Sequence, residues 1–284
     1  MEVISCLLEM QKSSLQWERE GQKIGFVPTM GSLHQGHLSL IDLVRDQSDL
    51  VIVSIFVNPT QFAEGEDLEK YPRDLEHDLL LCKDHKVDYV FTPRTEDIYE
   101  VNSSTFIMEQ RVSEKLCGQF RPSHFKGVTT ICAKLFNLCR PTFVALGQKD
   151  AQQVSVLKRM IEDLHFPIEV IVGSIVRETD GLAMSSRNVY LNDTQREDAR
   201  LIFQALITVK KLVDEEKTTK VDRVKEELMR VLQRGNSLRV DYAEVVNRNT
   251  MLIVEGNISK ESLLVVAVWV DSVRLIDNME LSNE

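Results

Sequence analysis

Short apolar runs alternate with longer amphipathic ones over roughly the first 170 residues. Ile24 to Pro28 reads as a strand, and residues 36–47 follow at helical spacing with Leu38, Ile41, Leu43 and Val44 apolar. The apolar run 50–57 has the pattern of a strand buried on both faces. Residues 73–86 place Leu75, Leu79 and Cys82 on one helical face, and Val87 to Phe91 forms the next strand, stopped by Pro93. Helices over 126–139 and 150–164 then alternate with strands over 142–146 and 168–172. Strand–helix alternation of this kind predicts an α/β fold, a parallel sheet with helices on both faces.

The pattern changes near residue 173. All seven prolines lie at or before Pro167. Beyond it come charged amphipathic stretches, 193–214 and 220–234, and then strand-like runs at 238–246, 263–271 and 273–280. Helices followed by strands predict a smaller α+β unit. The expected division is therefore residues 1–173 and residues 174–284, close to what 284 residues allow at roughly 150 per domain.

Composition narrows the function. Lys plus Arg number 34 against 44 Asp plus Glu, a net charge of −10, which disfavours nucleic acid and anionic membranes as partners. The apolar runs 50–57 and 263–270 fall far short of the roughly 20 residues that span a bilayer. No basic stretch precedes an apolar run at the N-terminus, so no secretory signal is read. Five cysteines, Cys6, Cys82, Cys117, Cys132 and Cys139, form no Cys-x-x-Cys pair, which fits a reducing, cytoplasmic setting and not a zinc site. The acidic stretch 63–72 is a loop able to order over a ligand.

Candidate chemistry gathers where predicted strands end. Met30, Gly31, Ser32, Leu33, His34, Gln35, Gly36 and His37 occupy a strand-to-helix junction, where free N–H groups and the helix dipole favour an anion. His34 and His37, three apart, share the first turn and offer donors to phosphate oxygens. Gly147, Gln148, Lys149 and Asp150 follow another strand, with Gln153 one turn on; Lys149 suits a phosphate, and Asp150 a cap, a ribose or a metal. Asn58 and Gln61 end a third strand, and their amides suit hydroxyl and carboxylate groups. Arg177 and the loop Gly181 to Asn188, with Met184, Ser185, Ser186 and Arg187, place a guanidinium among hydroxyls fit for a triphosphate. Arg121 to Val128 is a fifth, basic cluster ahead of a helix.

The His-x-Gly-His stretch and the later Met-Ser-Ser-Arg loop resemble the paired motifs of nucleotidylyl transferases. The five clusters in order resemble the pantothenate synthetase family, over nearly the whole chain and most densely from residue 26 to residue 192. The resemblance implies a Rossmann-type N-terminal domain that binds ATP and pantoate, a C-terminal lid domain and a cytoplasmic homodimer. It implies that pantoate and β-alanine are joined at the expense of ATP with Mg²⁺, releasing AMP and pyrophosphate. Carried over by position, Met30 to His37 becomes an ATP segment with His37 the proton donor. Gly147 to Asp150, Val176 and Met184 to Arg187 become further ATP contacts, although Gln148 stands where glutamate is frequent. Gln61 becomes a ligand of both pantoate and β-alanine, and Gln153 a second pantoate ligand.

These roles predict attack of the pantoate carboxylate on the α-phosphorus, with His34, His37, Lys149 and Arg187 stabilising the charge, and then aminolysis of the adenylate. The resemblance does not indicate which residues would bind the metal. Two alternatives stay open: another nucleotidylyltransferase, which would leave the nucleotide in its product, and an inactive nucleotide-binding regulator, which would release no pyrophosphate.

Overall fold

The computed structural model describes residues 1–281. The chain begins with β1 (Glu2–Ile4) and α1 (Leu7–Arg19), neither of which the apolar pattern announced. β2 (Ile24–Thr29), α2 (Gln35–Arg45), β3 (Leu50–Ile55), α3 (Leu75–Asp84) and β4 (Tyr89–Phe91) follow. After the short α4 (Thr95–Ile98) and α5 (Cys117–Phe120) come α6 (His124–Cys139), β5 (Phe143–Gly147), α7 (Ala151–Asp163) and β6 (Glu169–Gly173). The six strands form one parallel sheet in the order β1-β4-β3-β2-β5-β6. Its two faces are buried separately. Met10 of α1, Phe136 of α6 and Leu157 of α7 cover one, while Ile41 and Val44 of α2 and Cys82 of α3 cover the other.

The strand order fixes where a ligand sits. From β2 the chain winds outward through β3 and β4, then returns to place β5 on the other side of β2. The carboxyl ends of β2 and β5 therefore flank a topological switch point, the usual crevice of an open parallel sheet.

The segment after Gly173 crosses to the second sheet. A five-residue 3-10 turn (Ser186–Tyr190) leads into α8 (Asp193–Asp214) and α9 (Val221–Leu232), which pack their apolar faces on β7 (Leu238–Asn247), β8 (Ser262–Val270) and β9 (Val273–Glu280). These three strands are antiparallel in the order β7-β8-β9. A smaller apolar cluster joins the two parts: Leu116, Phe125 and Val156 meet Val246, Leu263 and Val265. The five cysteines are free, and only Cys6 is exposed. Among the described residues, no helix is long and apolar enough to cross a membrane.

Candidate active site

A cavity of about 1000 Å³ opens at the carboxyl edge of the large sheet, walled on the far side by β8 and β9. β2 delivers His34 and His37, β3 delivers Asn58 and Gln61, and β5 delivers Gly147, Lys149 and Asp150. Gln153 comes from α7; Val176, Met184, Ser185, Ser186 and Arg187 come from the crossing segment. Clusters far apart in sequence thus line one space. Gly31, Ser32, Leu33, Gln35 and Gln148 were expected with them and do not line it.

The β2–α2 turn departs from the expectation of free amides. Ser32 N–H and Leu33 N–H donate to the two carboxylate oxygens of Asp78, at 2.8 and 2.7 Å. Gly31 N–H donates to Thr29 Oγ1. His34 N–H donates to His37 Nδ1 (3.3 Å) and Gly36 N–H to His34 Nδ1 (3.1 Å), a reciprocal capping box at the start of α2. The turn therefore presents imidazoles to the cavity in place of amides. A backbone N–H can only donate, so each Nδ1 is an unprotonated acceptor and each Nε2 of the neutral ring carries the hydrogen. The rings lie 4.1 Å apart. Burial, then the charge of Lys149, pulls the His34 pKa down to about 4; burial, then His34 and Lys149, pushes His37 well below its ordinary value. Both are neutral donors at physiological pH. Gly36 has a steric role here, since a Cβ would stand 2.9 Å from the His34 ring.

Asn58 also differs from its expected role as a ligand. It is buried, with Nδ2 donating to Gln61 Oε1 and Gly127 O and Oδ1 accepting from Tyr99 and Thr60 hydroxyls. Its amide is saturated by protein and holds Gln61. The Gln61 amide also donates to Met30 Sδ, and its backbone carbonyl accepts from Arg121 and His124 Nδ1. His124 is buried with its pKa lowered to about 3, by desolvation first and then by Arg121. The fifth cluster thus frames Gln61 from behind.

Arg187 is committed to protein groups. It grips Asp67 through two hydrogen bonds, 2.8 and 2.9 Å, and stacks toward Tyr71. Burial alone would raise the Asp67 carboxyl, but the Arg187 guanidinium holds it below the usual carboxylate range. Arg121 grips Glu66 in the same bidentate way, and Tyr190 donates to Lys70 O. The acidic stretch is thus a tethered strap that lines the cavity. Ser186 Oγ bonds Ser32 O, joining the Arg187 loop to the β2–α2 turn. Gln148, expected near ATP, instead bonds Asn278 on β9, whose amide also donates to the carbonyls of Gln148 and Lys149. Arg177 pairs with the buried Asp277. Asp67 was expected only as part of the acidic loop, and Tyr71, Asp78, Asp277 and Asn278 were not singled out from the sequence, because their partners lie 40 or more positions away or are backbone groups.

The Pantoate-beta-alanine ligase family profile matches residues 2–280. The chain belongs to that family. A pantothenate synthetase of Thermotoga petrophila is 46% identical over 98% of this chain and 99% of its own length. One from Thermosipho africanus is 47% identical over the same shares. The Thermus thermophilus enzyme superposes over 100% of both chains with a TM-score of 0.94 at 37% identity. A Francisella tularensis pantoate–beta-alanine ligase, solved with beta-gamma ATP and beta-alanine, superposes over 100% of this chain and 99% of that one, with a TM-score of 0.82 at 31% identity. Membership carries the ligase activity, the joining of pantoate to β-alanine.

Proposed function

We propose that the chain activates pantoate as an enzyme-bound adenylate and then transfers the pantoyl group to β-alanine. The observation that carries this reading is the pair of neutral, Nε2-protonated imidazoles lining one cavity together with Lys149, Gln61 and Gln153. A pantoate carboxylate oxygen forms a bond to the α-phosphorus, and the bond to the bridging oxygen of the leaving pyrophosphate breaks. His34, His37, Lys149 and Arg187 stabilise the negative charge as it shifts onto the pyrophosphate. Gln61 and Gln153 hold pantoate, and Val176 lies against the nucleotide. The deprotonated amine of β-alanine then attacks the acyl carbon and expels AMP. The role we give His37 is that of a hydrogen-bond donor, since its neutral ring has one proton and that proton sits on Nε2.

Mg²⁺ belongs to this proposal as a companion of ATP. Asp150 is the N-cap residue of α7 yet makes no side-chain cap, which leaves its carboxylate uncommitted on the cavity wall. That hard oxygen donor suits Mg²⁺ shared with phosphate oxygens, where the ion would supply charge neutralisation. Residues 1–173 form the substrate-binding unit in this reading. Residues 174–284 form the lid, because Arg177 and Asp277 tie the Arg187 loop to the small sheet. Exposed Val101, Phe106 and Met108 on one irregular segment support a homodimer, and five free cysteines a cytoplasmic setting. Pyrophosphate release from MgATP with pantoate, without β-alanine, and with hydroxylamine as trap tests the reading. A pantoyl hydroxamate is expected; release that ignores pantoate would sink it.

A further inference from the structure

Asp78 is a buried carboxylate that the proposed chemistry does not use. Its exposure is 1%, and both carboxylate oxygens accept from consecutive backbone amides 45 and 46 positions upstream. The receiving backbone is unusual: Gly31 has φ +79° and Ser32 φ +51°. In this turn the consecutive Ser32 and Leu33 N–H groups converge on one point, the concave arrangement of successive amides that binds anions. Left empty beside an ATP site, this nest would compete for phosphate. Here the protein fills it with its own carboxylate, and a Cβ on Gly31 would come within 3.0 Å of that carboxylate.

We propose that Asp78 is a positioning residue, a strut from α3 that holds the β2–α2 turn in the conformation that presents the His34 and His37 Nε2 donors and keeps phosphate out of the amide nest. α3 is well placed for this. Cys82, one turn beyond Asp78, is fully buried against the sheet, and the strap 63–72 runs into the start of the helix. Without the carboxylate, Ser32 holds a left-handed backbone that costs a non-glycine residue energy, and two amides lose their acceptor. The turn would relax, and the imidazoles with it. The inference rests on the adenylation reading above.

Asp78→Asn keeps the volume and one acceptor but faces the second amide with an NH₂ group. The variant should lose about 10²-fold in pantoate-dependent ATP–pyrophosphate exchange, the cost of small misplacements in a preorganised site. Conversion of supplied pantoyl adenylate and β-alanine to pantothenate, a step in which no pyrophosphate leaves, should stay within about threefold of the unsubstituted enzyme. Equal losses in both half-reactions, or none in either, overturn the proposal. Absence of exchange in the unsubstituted enzyme overturns the adenylation reading instead. Amide hydrogen exchange on the unsubstituted protein gives a test that needs no variant. Ser32 and Leu33 N–H should be protected without nucleotide and unchanged by MgATP; protection that arises only with MgATP would assign the nest to phosphate.

Discussion

Each imidazole of the β2–α2 turn does two jobs with opposite ring atoms. Nδ1 accepts a backbone N–H and caps α2, and Nε2–H is left for a ligand. The two jobs can be separated, because the same chain builds an ordinary capping box at α8, where Asn192 and Gln195 make the reciprocal bonds. Substituting His34→Asn and His37→Gln transplants that box onto α2. The helix start should hold, since Asn ranks among the best N-caps, so the thermal midpoint should change little. Adenylation should fall about 10²–10³-fold, the usual loss when an oriented donor to developing charge is removed. Thermal melts beside pyrophosphate-release kinetics decide it. A lower midpoint with adenylation intact would make the histidines caps and nothing more.

The strap is the element with the clearest competition built into it. Asp67 occupies Arg187 with the bidentate geometry that a phosphate would use. ATP must displace that carboxylate if Arg187 is to reach a phosphate. Asp67→Asn should therefore lower KM for ATP severalfold, most visibly at low ionic strength, with little change in KM for pantoate. Steady-state kinetics at two salt concentrations checks this; an unchanged or higher KM for ATP would leave Arg187 paired with the strap throughout. This contact also marks where sequence reading stops. The inner strands were legible because burial on both faces leaves continuous apolar runs, as in Leu50 to Ile55. The three-residue β1 is too short to show a period, and α1 buries only Met10 and Ser14. Residues at the strand ends were legible as chemistry, because strand–turn–helix junctions put them at one edge. Which of them stay free was not legible. That Asn58 is saturated, that the turn amides are filled and that Asp67 meets Arg187 all follow from pairings between distant segments.

At the scale of the whole molecule, the ligand site is a cost that pH can expose. His34, His37 and His124 all sit around one cavity with pKa values depressed below the ordinary 6.5, to about 4 for His34 and about 3 for His124. Burial is the first cause in each, so the fold keeps them neutral while the unfolded chain protonates them. Between pH 6.5 and about 4 the unfolded state thus binds more protons, and stability must fall as pH falls, by up to about 1.4 kcal/mol per histidine per pH unit. Asp78 and Asp277 push the other way, because burial raises their pKa values and the fold takes up protons early. Asp67, held low by Arg187, adds its loss below its ordinary value of 3.8, outside most of the histidine window. The histidine share is isolated by comparison. Urea unfolding at half-unit steps from pH 7 to 4.5 should give a steep positive slope of stability with pH in the unsubstituted protein. The double variant His34→Asn, His37→Gln removes two of the three contributions and should flatten that slope by more than half, gaining relative stability as the medium is acidified. Equal slopes for the two proteins would mean that these rings protonate in the fold as readily as in the unfolded chain, so that burial does not hold them neutral.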